Sequence, residues 1–231
     1  MWAKFNLGVD PNNLNKPKDW YGNYYAWAET EIKNTYTLEN YKFINPVDAS
    51  SNVNILDYIT KYTTNCNYSN NIHIDNKCIL DKEDDIANVI YGGNVHIPSR
   101  EQIDELVHET EHKCYKNYRD IFDLNGIEFI GKNHNSIFIP FAGGIKTRNG
   151  ENTPIVDYEY GCYGYLWSST IHKCFSSAYC LEFKSSALMD LEDSLDHIVT
   201  EIKKPVIIAN LSSGYVVLER WNGVPIRPVV S

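Results

Sequence analysis

With 231 residues, 43% of them hydrophobic, the chain is long enough to bury a core of its own, as one large domain or two small ones. A net charge of -9 and an isoelectric point near 5.2 argue against nucleic-acid binding, which depends on a clustered basic face. No run approaches the roughly 20 apolar residues of a bilayer-spanning helix, and the opening MWAKFNLGVDPNN has neither part of a secretory signal; neither membrane insertion nor signal-directed export is expected of the chain as written.

In chain order, WAKFNLG and WYGNYYAWAETE alternate aromatics with turn residues and predict short strands joined by polar loops. Residues Asn45 to Asn76, rich in Asn, Ser and Thr, predict a long irregular loop. The acidic run Leu80 to Asp85 lacks the spacing and the glycine of a calcium loop and is expected to be a solvated face. In NVHIPSREQIDELVHETEHKC, Pro98 halts what precedes, Ser99 and Gln102 make a capping box, and Ile103, Leu106, Val107, Thr110 and Cys114 recur at helical spacing. The principal helix is therefore predicted near 100–113.

Downstream, GIEFIG, SIFIPFAGGI, GCYGYLWSST and SAYCLEFKSS read as strands, with AGGIKTRNGE as a turn. The stretch ALMDLEDSLDHIVTEIKKP, with Leu188, Leu191, Leu195, Ile198, Val199 and Ile202 on one face and Pro205 as a stop, predicts a second helix near 188–204. VIIAN and YVVLE then look like a hairpin, and RWNGVPIRPVV like a closing strand. Cys66, Cys78, Cys114, Cys162, Cys174 and Cys180 form no C-x-x-C pair and read as partly buried thiols. Cys66 with Cys78, or Cys174 with Cys180, is open to disulfide formation only in an oxidising compartment.

HETEH, His108 to His112, matches the H-E-x-x-H pattern by which zinc peptidases hold their metal, with Glu109 as the general base. At about 100° per residue, Leu106, Val107, Thr110 and Cys114 fall within about 60° of Ile103 on the helix, whereas His108 and His112 fall about 140° and 180° away. Both histidines are thus expected to face solvent as a weak surface metal pair, and no extended signature supplies a third ligand. His172 with Cys174 and Cys180 lacks an orienting partner at a recognisable spacing.

Several stretches in order, WAKFNLG, YGNYYAWAETE, YTLENYKF, ITKYTTN, DNKCILDKEDDIANVIYGGNVHIPSREQIDEL, NGIEFIG, NSIFIPFAGG, YGYLWSST, AYCLEF and RWNGVPIRPV, together resemble the Fibrobacter succinogenes major paralogous domain family of gut Bacteroidetes and their phages. The resemblance spans nearly the whole chain and implies an α+β, C-type-lectin-like fold in its formylglycine-generating-enzyme-like branch. It implies a single domain over 1–231, with short antiparallel strands, a terminal closure at Arg227 and Pro228, and a helix and hairpin inserted at 187–219. The calcium-dependent sugar site of such lectins is not expected, because Gly223 stands in RWNG where that pattern has an acid, and no E-P-N or Q-P-D occurs.

The function expected is therefore a non-enzymatic ligand-binding or display module, without cofactor, on a virion or extracellular surface, contacting a host-surface glycan or protein. Tyr163, His172, Phe175, Trp221 and Asn222 are the candidate ligand-binding residues, since aromatic and amide side chains can stack on and hydrogen-bond a glycan. The alternatives are a structural assembly component that self-associates through the 188–204 helix, and a zinc-dependent hydrolase through His108, Glu109 and His112.

Overall fold

The computed structural model describes residues 1–45, 58–64, 74–155, 161–173, 176–185, 206–208 and 211–231. Among these, a 3-10 turn at Pro17–Trp20 precedes β1 (Tyr24–Tyr25), α1 (Ile86–Tyr91), β2 (Val95–His96) and α2 (Arg100–His108). There follow β3 (Glu111–Lys116), β4 (Gly126–Ile130), β5 (Ser136–Pro140), β6 (Ile145–Arg148) and β7 (Glu151–Pro154). The chain continues with β8 (Tyr163–Ile171), β9 (Ser177–Ser185), β10 (Val206–Ile208), β11 (Leu211–Glu219), β12 (Val224–Pro225) and β13 (Val229–Val230). The protein is a sheet-rich α+β structure of short antiparallel strands with few helices.

Two sheets organise it, in the strand orders β10-β3-β4-β5 and β11-β9-β8. Eight of the nine residues of β8 are buried, which marks a strand covered on both faces. Trp167 of β8 donates through Nε1 to the Tyr25 carbonyl and Trp27 donates to that of Ser168, both at 2.8 Å, so the YGNYYAW segment is stitched to β8 by the indoles it buries. Arg220, fully buried, lies over the Trp27 and Tyr41 rings and donates to the Tyr41 hydroxyl and the Lys61 carbonyl. A buried guanidinium is tolerated when its donors find acceptors and its face finds aromatic rings.

The ends of the chain meet. Ala3 donates to the Pro228 carbonyl, Val230 to that of Met1, and β12 pairs with β1. Arg227, 1% exposed, fills this seam by donating to Asn6 Oδ1 and to the Ala3, Lys4 and Phe138 carbonyls.

Four sequence expectations change. Ser99 and Gln102 do form the capping box, with Ile103 and Leu106 buried, but α2 ends at His108 rather than near 113. Glu111–Lys116 instead pairs with β4 from Glu111↔Ile130 to Tyr115↔Gly126, and Thr110 Oγ1 caps the Leu106 carbonyl. A ladder to a waiting strand overrides a helical pattern whose last turns bury little. Cys114 is buried as expected, but from a strand.

The acidic run is not a solvated face. Asp84 and Asp85 are 2% and 4% exposed. Asp84 accepts from Lys42, Lys61 and the Tyr62 hydroxyl, while Asp85 caps α1 through Ala87 and Asn88 and also accepts from the Ile97 amide. The described parts of the Asn45–Asn76 loop are irregular but not peripheral, since Ile59 and Tyr62 belong to the core.

VIIAN and YVVLE are not the arms of one hairpin: β10 pairs with β3, whereas β11 runs along β9 from Leu211↔Ser185 to Glu219↔Ser177. The predicted helix near 188–204 lies outside the described residues. AGGIKTRNGE makes more than a turn: β6 and β7 form a hairpin round Asn149 and Gly150, both at positive φ, as a tight Asn-Gly turn requires.

Candidate functional site

A cleft of about 730 Å³ opens between the Pro17–Trp20 turn, the segment Phe141–Gly144, the β6–β7 hairpin and the start of β8. Such a volume suits a small ligand. Four tyrosines line it: Tyr21, Tyr24, Tyr163 and Tyr165.

Three of the four stand against fixed partners. Tyr24 donates to the Ala142 carbonyl at 2.6 Å. Tyr163 and Tyr165, two apart on β8, stand opposite Lys184 and Glu182 of β9. The Lys184 ammonium lies 5.3 Å from the Tyr163 ring centroid, the Glu182 charge acts on the Tyr165 hydroxyl, and Lys184 and Glu182 pair at 3.5 Å. Burial, then the Glu182 charge, push the Tyr165 hydroxyl well above its ordinary pKa, so it remains a donor.

Two glycines permit this wall. A Cβ on Gly164 would lie 2.0 Å from the Phe183 ring, so only glycine lets β8 close on that ring. Gly143 sits at φ +63 and donates to the Tyr163 carbonyl, in a left-handed conformation that glycine adopts without strain.

Asp123 stands at the rim. Its amide is held by Asn117 Oδ1 at 2.8 Å, and its Oδ1 receives only a 3.4 Å contact from Asn125. Oδ2 accepts no hydrogen bond from a described residue. The protein packed round the carboxyl pushes its pKa above the ordinary value, with Lys116 pulling the other way. Burial, then the Asp123 charge, push the Tyr21 hydroxyl up to about 12. The rim thus offers the Asp123 carboxyl beside a phenol donor.

The hairpin also borders a recess of about 690 Å³, lined among others by Tyr36, Thr147, Trp221 and Asn222. Asn222 is 4% exposed, its amide N-H donates to the Glu219 carbonyl, and its side-chain Oδ1 is buried without a hydrogen bond. An orphaned buried amide oxygen is uncommon and calls for a partner.

Of the five residues singled out from the sequence, the four that are described do not line one cavity. Tyr163 lines the cleft, and Trp221 and Asn222 line the recess. His172 follows the far end of β8, about 30 Å of extended strand away from Tyr163, with its ring edge-on to Tyr179 at 5.1 Å. Phe175 lies outside the described residues. Tyr21, Tyr24, Tyr165 and Asp123 were not singled out. The i, i+2 spacing of Tyr163 and Tyr165 was a legible sign of a shared strand face, whereas nothing local marks Asp123.

HETEH is not a two-histidine helical face. His108 ends α2 with its side chain 72% exposed and its Nδ1 on the Asp104 carbonyl, and Glu109 is ion-paired to Lys132 at 2.6 Å. His112, expected in solvent, is half-buried on β3 with its ring 4.8 Å from Phe129 and its Nε2 buried without a hydrogen bond. Among the described residues, one group of three metal-ligand type side chains is found, Asp81, Glu83 and Asp84. Lys61 already ion-pairs all three, at 2.7, 3.5 and 2.6 Å.

Compared with protein-family models, curated proteins and solved structures, the chain matches none of them.

Proposed function

We propose that this protein is a non-enzymatic binding module with a C-type-lectin-like fold, displayed on an exterior surface as a virion component, and that its tyrosine-lined cleft holds a host-surface glycan. The observation that carries the proposal is the pre-fixing of the rings: Tyr24 is held by a hydrogen bond to Ala142, Tyr163 lies under the Lys184 ammonium, and Tyr163 and Tyr165 are buried on β8 before any ligand arrives. Aromatic rings suit the apolar faces of sugars, and walls ordered in advance spare the entropy of ordering them on binding. Asp123 and Tyr21 add an acceptor and a donor for sugar hydroxyls. The pairing of β1 with β12, which brings the two ends of the chain together, and a capped α2 against β8 support the C-type-lectin-like assignment.

A glycan array probed with the whole chain tests this. Binding to a defined set of glycans, lost in Tyr163→Ala and in Asp123→Asn variants that melt like the parent, is the expected result. Binding that survives both substitutions places the ligand elsewhere.

One observation favours the assembly role as a second reading. Val89, Ile90 and Tyr91 at the end of α1 are 53%, 51% and 61% exposed, an apolar patch of the kind that contacts neighbouring subunits. Sedimentation of the parent and of Ile90→Lys distinguishes the two, since a strict monomer at all concentrations removes self-association.

A further inference from the structure

We infer that the tyrosine cleft and the Trp221 recess are adjoining subsites of one groove for an extended, neutral oligosaccharide, an inference that rests on the proposed use of the cleft as a sugar site. The partition between them is thin. Asn152 lines the cleft and Thr147 lines the recess, and the two are cross-strand partners in the β6–β7 hairpin, with Thr147 Oγ1 donating to Asn152 Oδ1 at 2.5 Å. Tyr36 ties the same layer together: it lines the recess, its amide donates to Thr147 Oγ1 at 2.6 Å, and its hydroxyl donates to the carbonyl of Tyr24 in the cleft. Ile145 of the cleft bridges Gly223, next to Asn222 of the recess.

The recess carries its own recognition chemistry. Trp221 contributes a half-buried indole as a platform for a sugar face. Asn222 contributes a buried amide oxygen that no donor among the described residues satisfies. The terminal torsion of an asparagine is soft, so the amide turns toward a hydroxyl or an acetamido N-H seated over Trp221 at little cost. Charge in the recess is balanced, Glu39 and Glu219 against Lys146 and Arg148, which suits a neutral ligand, while in the cleft Lys16 and Lys18 exceed Asp123 by a single charge. Each cavity is of a size that holds a ring or two. A linear chain crossing Asn152 and Thr147 fills both.

The test is calorimetric titration of the whole chain with maltose-, cellulose- and chitin-derived oligosaccharides, each series running from the monosaccharide to the hexasaccharide. In the series that binds, affinity is expected to rise by about tenfold or more at the length that reaches the recess, because the second contact is then intramolecular. Trp221→Ala is expected to abolish that rise while the shortest ligands, which occupy only the cleft, bind as before. Should Trp221→Ala fail to fold, Asn222→Ala reads the same gain. Tyr163→Ala weakens short and long ligands alike. Short-ligand binding without a gain in length, or a gain that survives the Trp221 and Asn222 substitutions, overturns the single groove and leaves the cleft standing. No binding in any series overturns both.

Discussion

Tyr163 and Lys184 face each other across β8 and β9, with the ammonium 5.3 Å from the centroid of the phenol ring. The lysine holds a wall of the cleft without lining it. Lys184→Met is therefore expected to lower ligand affinity by about two- to tenfold, the cost of ordering one side chain on binding. Because Lys184 is more than a third exposed, its melting temperature should barely move. Titration alongside thermal melting reads both, and an unchanged affinity removes the positioning role.

Gly164 makes a complementary prediction about the same wall. Gly164→Ala places a methyl group 2.0 Å from the Phe183 ring and should cost about 1–3 kcal/mol, as overpacked cores do. Adding Phe183→Leu should recover part of that loss, so the pair is non-additive in denaturant unfolding. Strict additivity contradicts the contact.

His112 makes stability depend on pH. Burial lowers its pKa below the ordinary histidine value, with the positive potential of His108 adding to this and hydrogen bonds to the Val107 and Leu106 backbone opposing it. The unfolded chain therefore takes up the proton first. The contribution of His112 is fully present above the unfolded value near 6.5 and is lost as pH falls from there through the lowered folded value. His112→Gln should flatten the decline in stability on mild acidification, measured by urea unfolding across that window, and an equally steep decline in the variant refutes the assignment.

Asp85 anchors α1 and β2 at once, through the Ala87, Asn88 and Ile97 amides. Asp85→Ala removes an N-cap, worth about 1 kcal/mol, and leaves the Ile97 amide unsatisfied, worth about 1–3 kcal/mol more. A loss of about 2–4 kcal/mol is expected in equilibrium unfolding. Asp85→Asn, which keeps an acceptor, should lose less, and equal losses in the two variants argue against the hydrogen bonds as the cause.

Local patterns in the sequence were enough to determine local structure. Ser99 and Gln102 announced the start of α2, AGGIKTRNGE announced a turn, and the alternation in GIEFIG and SIFIPF announced the strands that became β4 and β5, because capping, turns and strand faces depend on residues a few positions apart. What depends on distant partners could not be read. The helix stops at His108 because β4 offers Glu111–Lys116 a ladder, and that moves His112 off the face it was expected to share with His108. Asp84 and Asp85 are buried because Lys42, Lys61, Tyr62 and Ile97 come to meet them from elsewhere in the chain. The cleft is decided in the same way. Tyr24, Asp123, Gly143 and Tyr163 carry no common local signature, and only the packing of β1, the hairpin and β8 brings four such distant segments to one cavity.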